Sequence, residues 1–188
     1  PGWGASGRNG GQVNPTLKYD PDQLVQMYGA ARGEPLIHTV SNSADLVFNL
    51  IQRHGIDCAP TRKGWMQVSY SGKGVAGLHA RAEQWERRGV PVQRLDANAV
   101  SSRMGSQAFA GGWLDGRAGA IQPLAYARGL VRAAQAVGVR IHGQSAVTAM
   151  QQAGAGWKLQ TASGAQVSAG QVVLATNGYS GDLWPGMA

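Results

Sequence analysis

The segment Gly4-Ala5-Ser6-Gly7-Arg8-Asn9-Gly10-Gly11-Gln12 concentrates groups that can hold an anion. Its four glycines remove side-chain bulk, so backbone N–H groups can approach a negative oxygen closely. Ser6 and Asn9 add hydrogen-bonding side chains, and Arg8 adds a fixed charge whose planar fork matches a phosphate. The same composition also describes a plain flexible loop. The letters Gly2-Trp3-Gly4-Ala5-Ser6-Gly7 satisfy G-x-G-x-x-G, but no apolar strand precedes them and no acidic residue closes a second strand at the right distance. That motif requires its strand–turn–helix setting, so the match is read as accidental.

A second candidate is Val172-Val173-Leu174-Ala175-Thr176-Asn177-Gly178-Tyr179-Ser180, an apolar run that ends in small polar residues and a glycine. Ligands of open α/β sheets bind beyond the carboxyl ends of strands. An ordinary strand exit would carry the same letters.

Other chemistry is sparse. His38, His54, His79 and His142 are scattered, with no spacing suited to a metal, so no metal site is expected. Cys58 is the only cysteine and has no C-x-x-C partner, which favours a buried structural thiol over a nucleophile. The six tryptophans could stack on nucleobases, but their helix and strand positions favour core packing. No G-x-S-x-G, Walker loop or paired-carboxylate pattern occurs, and no catalytic residue is assigned.

The elements that must position these segments follow from periodicity. Asp20-Pro21-Asp22 opens a short helix, and Pro35 restarts a second one that Gly55 stops. Residues 56–59 read as a short strand. Residues 65–70, 92–95 and 110–115 read as strands, with a helix on Val75, Leu78, Ala82 and Trp85 and another capped by Asp96. Gln122-Pro123 opens an amphipathic helix ended by Gly138. Residues 139–142 then begin a strand, and 146–150, 157–161 and 166–168 form an antiparallel meander with glycine turns. Residues 172–175, apolar on both faces, suit a central parallel strand beside 139–142. The expected fold class is α/β with an α+β insertion: an incomplete doubly wound fold with an antiparallel meander and part of a second subdomain.

With 188 residues and 43% hydrophobic content, the chain can bury a core without staples. A single cysteine excludes a disulfide-rich scaffold, and no apolar run approaches the ~18 residues of a spanning helix. The 17 Lys+Arg against 10 Asp+Glu give a net charge of +7, which favours an anionic partner without choosing one. Arg81, Arg87 and Arg88, interleaved with Glu83 and Glu86, read as a solvated helix face.

Taken in order, GASGRNGGQ, GGWLDGRAGAIQPLAYARGLVRAAQAVGVRIH and VVLATNGYS resemble the FAD-dependent amine and amino-acid oxidoreductases, the group of D-amino-acid dehydrogenase, glycine oxidase and sarcosine oxidase, and most of all its gamma-glutamylputrescine oxidoreductase-like branch. The resemblance implies hydride transfer from a small amine or amino acid to FAD. It implies that Ser6, Gly7, Arg8, Asn9, Gly10 and Gly11 lie against the FAD pyrophosphate and flavin edge. It implies that Val147 touches the adenine through its backbone, and that Ala175, Thr176 and Asn177 pass the cofactor. Residues 1–55 and 122–188 would then belong to the FAD-binding portion, and 56–121 to the substrate portion. The family's main FAD fingerprint would precede Pro1 and its closing segment would follow Ala188. The sequence is therefore expected to be a central part that does not itself retain FAD and that self-associates through exposed strand edges. A cytoplasmic enzyme is expected, with peripheral attachment to the inner membrane as the variant reading and no nucleic-acid partner. The alternative is a basic polyanion-binding module without enzymatic activity.

Overall fold

The computed structural model describes residues 1–179, 183 and 184. Two compact units emerge, Pro1–Val139 and Arg140–Ala188. The first unit begins with a four-residue helical turn, α1 (Ala5–Arg8), and a two-residue strand, β1 (Gln12–Val13). Three helices follow: α2 (Pro21–Tyr28), α3 (Ala30–Ser41) and α4 (Ser43–Arg53). The Asp20 side chain and Gln23 form a reciprocal capping box at the start of α2, with Pro21 in its first turn.

Two helices were expected over this stretch, with the break at Pro35. The chain instead breaks at Gly29, whose φ of +73° suits glycine, and again at Asn42. Pro35 sits in the second turn of α3, where one lost backbone bond is tolerated because the flanking Ile37 and Gly33 are buried. Tertiary packing outweighs the local penalty.

A three-stranded antiparallel sheet carries the middle of the unit, with β4 (Gly111–Asp115) between β2 (Trp65–Ser69) and β3 (Val92–Asp96). Helix α5 (Gly72–Glu86) packs on it, capped by Ser71, and α6 (Ala97–Met104) is capped by Asp96 at 2.8 Å from the Ala99 N–H. Fully buried Trp113 lies in a core with Trp85, Ala82, Leu24, Ile37 and Val90. Its indole N–H donates to Gln67 Oε1 at 3.0 Å. These strands and helices match the expected periodicities.

Residues 56–59 do not form a strand. Ala59 has a φ of +46°, which breaks an extended run, and the Cys58 carbonyl is taken by the Gln122 N–H at 2.7 Å. Beyond β5 (Gly119–Ala120), helix α7 (Pro123–Ala136) starts under a Gln122 cap. It packs on α4 through a second core of Ile51, Ile56, Cys58 and Leu130.

The arginine group in and just beyond α5 does more than face solvent. Arg87 and Arg88 both hold Asp22 of α2, at 2.6 and 3.0 Å, and Arg88 also holds Glu34 of α3 at 3.0 Å. Arg81 pairs with Asp20 at 2.5 Å. Partly exposed pairs contribute at most about 1 kcal/mol each, so their main effect is to fix where α2 and α3 sit on α5.

The second unit is the expected meander: β6 (Val147–Ala153), β7 (Gly156–Thr161) and β8 (Gln166–Ala169), in that order. Its register sets Met150, Leu159 and Val167 side by side, while Gln151, Lys158 and Ser168 line the opposite face. Period-2 alternation accounts for this one-sided sheet.

Residues 139–142 and 172–175 are the clear departure. Neither forms a ladder among the described residues, and the expected parallel pairing between them is absent. Val139 is 49% exposed and Val173 87% exposed. A central parallel strand gains its stability from hydrogen-bonded neighbours and from helices on both faces, and the described residues supply no such neighbour. A short 3₁₀ turn, Asn177–Tyr179, follows. Ser180, the last residue of the second candidate segment, lies outside the described residues.

Candidate functional site

The glycine-rich loop docks on α7 and closes an open pocket of about 420 Å³. Asn9 locks the loop. Its Nδ2 donates to the Ala5 and Ser6 carbonyls at 3.0 and 3.1 Å, and its Oδ1 accepts from the Gly11 N–H at 2.8 Å. The Ile121 N–H then donates to the Gly11 carbonyl at 2.9 Å, and β1 pairs with β5 through Gln12↔Ala120 and Val13↔Gly119. Gly11 has a φ of +72°, and a Cβ there would lie 2.0 Å from the Ile121 carbonyl oxygen. Gly7 is equally constrained, because its Cβ would lie 1.9 Å from the Gly2 carbonyl oxygen. The glycines allow close backbone approach within the loop itself.

Ser6, Asn9 and Gly11 line the pocket together with Gln12, Asn14 and Ser43, and Val47, Ile121, Tyr126 and Leu130 form an apolar wall. Gly7, Arg8 and Gly10 do not line it. The Arg8 guanidinium stacks on the Trp3 ring at 4.5 Å. Val147, Ala175, Thr176 and Asn177 belong to the second unit: Val147 opens β6, and the Thr176 carbonyl accepts from the Tyr179 N–H at 3.0 Å. Asn14 and Tyr126 escaped the sequence reading. Asn14 lies just beyond Gln12, the last residue of the candidate segment, and was within reach of a wider window. Tyr126 reads as ordinary helix until α4 is placed opposite.

The wall is electrically quiet. Burial, reinforced by the nearby Asp57 charge, pushes the Cys58 thiol above its ordinary range, and burial with Cys58 beside it pushes the Tyr126 hydroxyl up. Cys58 is thus a buried neutral thiol, as its isolation in the sequence suggested. A raised folded-state pKa stabilises the fold below the unfolded value of ~8.5 and loses that contribution as pH rises through the folded value. Stability measured by urea unfolding is therefore expected to decline above about pH 8.5, with a shallower decline in Cys58→Ala. Parallel pH profiles for the two proteins would rule out this linkage.

Among the described residues no group of three or more His, Cys, Asp or Glu could hold a metal ion, and no helix is long and apolar enough to cross a membrane. Arg62, Arg81, Arg87, Arg88, Arg94 and Arg117 pair with carboxylates of the fold, and nothing among the described residues supports the polyanion-binding alternative.

Residues 1–188 match the family described as FAD dependent oxidoreductase, and the chain belongs to that family. It is 36% identical over 182 residues to gamma-glutamylputrescine oxidoreductase of Escherichia coli strain K12, covering 96% of this chain and 42% of that protein. In fold it resembles glycine oxidase from Geobacillus kaustophilus, with a TM-score of 0.78 and 22% identity over 96% of this chain and 47% of that one. It also resembles L-proline dehydrogenase from P.horikoshii, with a TM-score of 0.74 and 15% identity over 95% of this chain and 44% of that one. The chain spans less than half the length of these proteins. The doubly wound class expected from the sequence agrees with this likeness, although 139–142 and 172–175 are not paired.

The pocket residues fit part of a flavin cofactor. The volume lies within the ~300–1,000 Å³ of ligand sites, and the lining is mostly apolar with a few polar groups. One of those groups, Asn14 Oδ1, is buried without a hydrogen-bond partner.

Proposed function

We propose that this chain forms a central part of an FAD-dependent oxidoreductase that oxidises a small amine or amino acid. The observation that carries this reading is the pocket closed by Ser6, Asn9 and Gly11 in a chain that matches this family along its whole length. Bound FAD would supply a hydride acceptor for the carbon bearing nitrogen, so that the amine would become an imine open to hydrolysis. The chain's own part is to bind and orient. Ser6, Gly7, Arg8, Asn9, Gly10 and Gly11 would hold the pyrophosphate and flavin edge, the Val147 backbone would meet the adenine, and Ala175, Thr176 and Asn177 would pass the cofactor. Residues 1–55 and 122–188 serve the cofactor side, and 56–121 the substrate side. The enzyme works in the cytoplasm, and the 188-residue chain alone self-associates and does not retain FAD.

The test uses the protein at the length of its relatives. It is expected to purify yellow, and the flavin band to bleach anaerobically when an oxidisable amine or amino acid from a substrate panel is added. A colourless protein that takes up no FAD on titration would overturn the reading.

A further inference from the structure

Asn14 follows β1 directly, and its amide meets two different surroundings. Nδ2 is 3.5 Å from Gln12 Oε1, at the outer limit of donation. Oδ1 is buried and unpaired, the only such side-chain atom among the described residues. An unmet buried acceptor is costly, so native folds rarely keep one without a function or a missing partner.

The neighbouring side chains do not supply the donor. The Asn9 amide is committed to the Ala5 and Ser6 carbonyls, and the Ser43 hydroxyl donates to the Val40 carbonyl at 2.7 Å. The far side of the pocket is the apolar wall of Val47, Ile121 and Leu130. Among its polar groups the pocket thus offers one buried acceptor left unpaired, beside an apolar wall, which suits a flat ring that carries an N–H on its rim.

We propose that Asn14 is a cofactor-positioning residue, its Oδ1 accepting a hydrogen bond from the N–H on the pyrimidine edge of the flavin ring. This rests on the FAD reading above and adds a residue outside the glycine-rich loop. Asn14 then fixes the ring's rotation within the slot, whereas the loop holds the phosphates.

The experiment uses the protein at the length of its relatives, carrying Asn14→Leu, with FAD as the titrant. Leu has nearly the shape of Asn and needs no donor, so the FAD-free variant is expected to be at least as heat-stable as the parent. Its Kd for FAD is expected to rise about tenfold, the loss of one hydrogen bond, and its two visible flavin absorption bands to shift. If Leu prevents folding, Asn14→Ala gives the same readout without added bulk. An FAD affinity within twofold of the parent together with unshifted bands overturns the role of Asn14 alone. A parent protein that takes up no FAD overturns the flavin reading and, with it, the ligand assigned to Asn14.

Discussion

Asp115→Ala is expected to destabilise the first unit by ~3–5 kcal/mol, the usual consequence of stranding one partner of a buried ion pair. Asp115 is fully buried at the end of β4. Its carboxylate accepts from the Arg117 N–H at 3.0 Å, from Arg117 Nε at 2.9 Å and from Nη2 at 2.5 Å. The same guanidinium stacks over Trp85 at 4.8 Å and donates to the Ser41 hydroxyl at 2.5 Å. One ion pair therefore shapes the turn after β4, covers the central tryptophan and reaches the end of α3. Without Asp115 a nearly buried guanidinium has no counter-charge. Because desolvation opposes the pair itself, Asp115→Leu combined with Arg117→Met is expected to recover much of the loss. Urea unfolding followed by tryptophan fluorescence checks both. A single variant within about 1 kcal/mol of the parent, the range of a surface pair, would show that the pair is not structural.

Gly11→Ala is the second large effect. A side chain at a φ of +72° costs ~1–2 kcal/mol. The added carbon, placed 2.0 Å from the Ile121 carbonyl oxygen, meets backbone that cannot swing aside, and overpacking of that kind costs a further ~1–3 kcal/mol. The contact lies where β1 joins β5 and where α7 begins, so relief requires the glycine-rich loop to leave its seat. The expected result is a drop in stability together with loss of flavin from the protein at the length of its relatives. Gly77→Ala, in α5 away from the loop, is the control, because a Cβ there meets nothing within 4 Å. Equal flavin content in the parent and both variants would remove the loop's seating from cofactor retention.

Local pattern made most of the elements legible. Strands β2, β3 and β4, helices α5, α6 and α7 and the three-stranded meander follow from spacing, caps and glycine turns. Those signals act over a few residues, so they survive in the sequence. The break between α2 and α3 was misplaced because Pro35 is a strong local signal, while the burial that overrides it comes from elsewhere in the chain. Residues 56–59 were misread because a short apolar run has no period of its own.

The candidate site divides the same way. The loop's glycines, Ser6 and Asn9 were visible as residue types, and Asn9 proves to lock the loop through its own neighbours. The pocket itself was not visible, because Asn14, Ser43 and Tyr126 converge only once α4 and α7 pack together. The pairing of Asp115 with Arg117 was hidden too, since two opposite charges around Gly116 show no sign of burial until β4 and the surrounding core pack. The sequence by itself determined most of the elements, the family resemblance and the anion-suited loop, because these depend on short-range spacing and residue chemistry. The tertiary structure alone decided which polar atoms are buried and which are left unpaired, because burial depends on residues far apart in the chain.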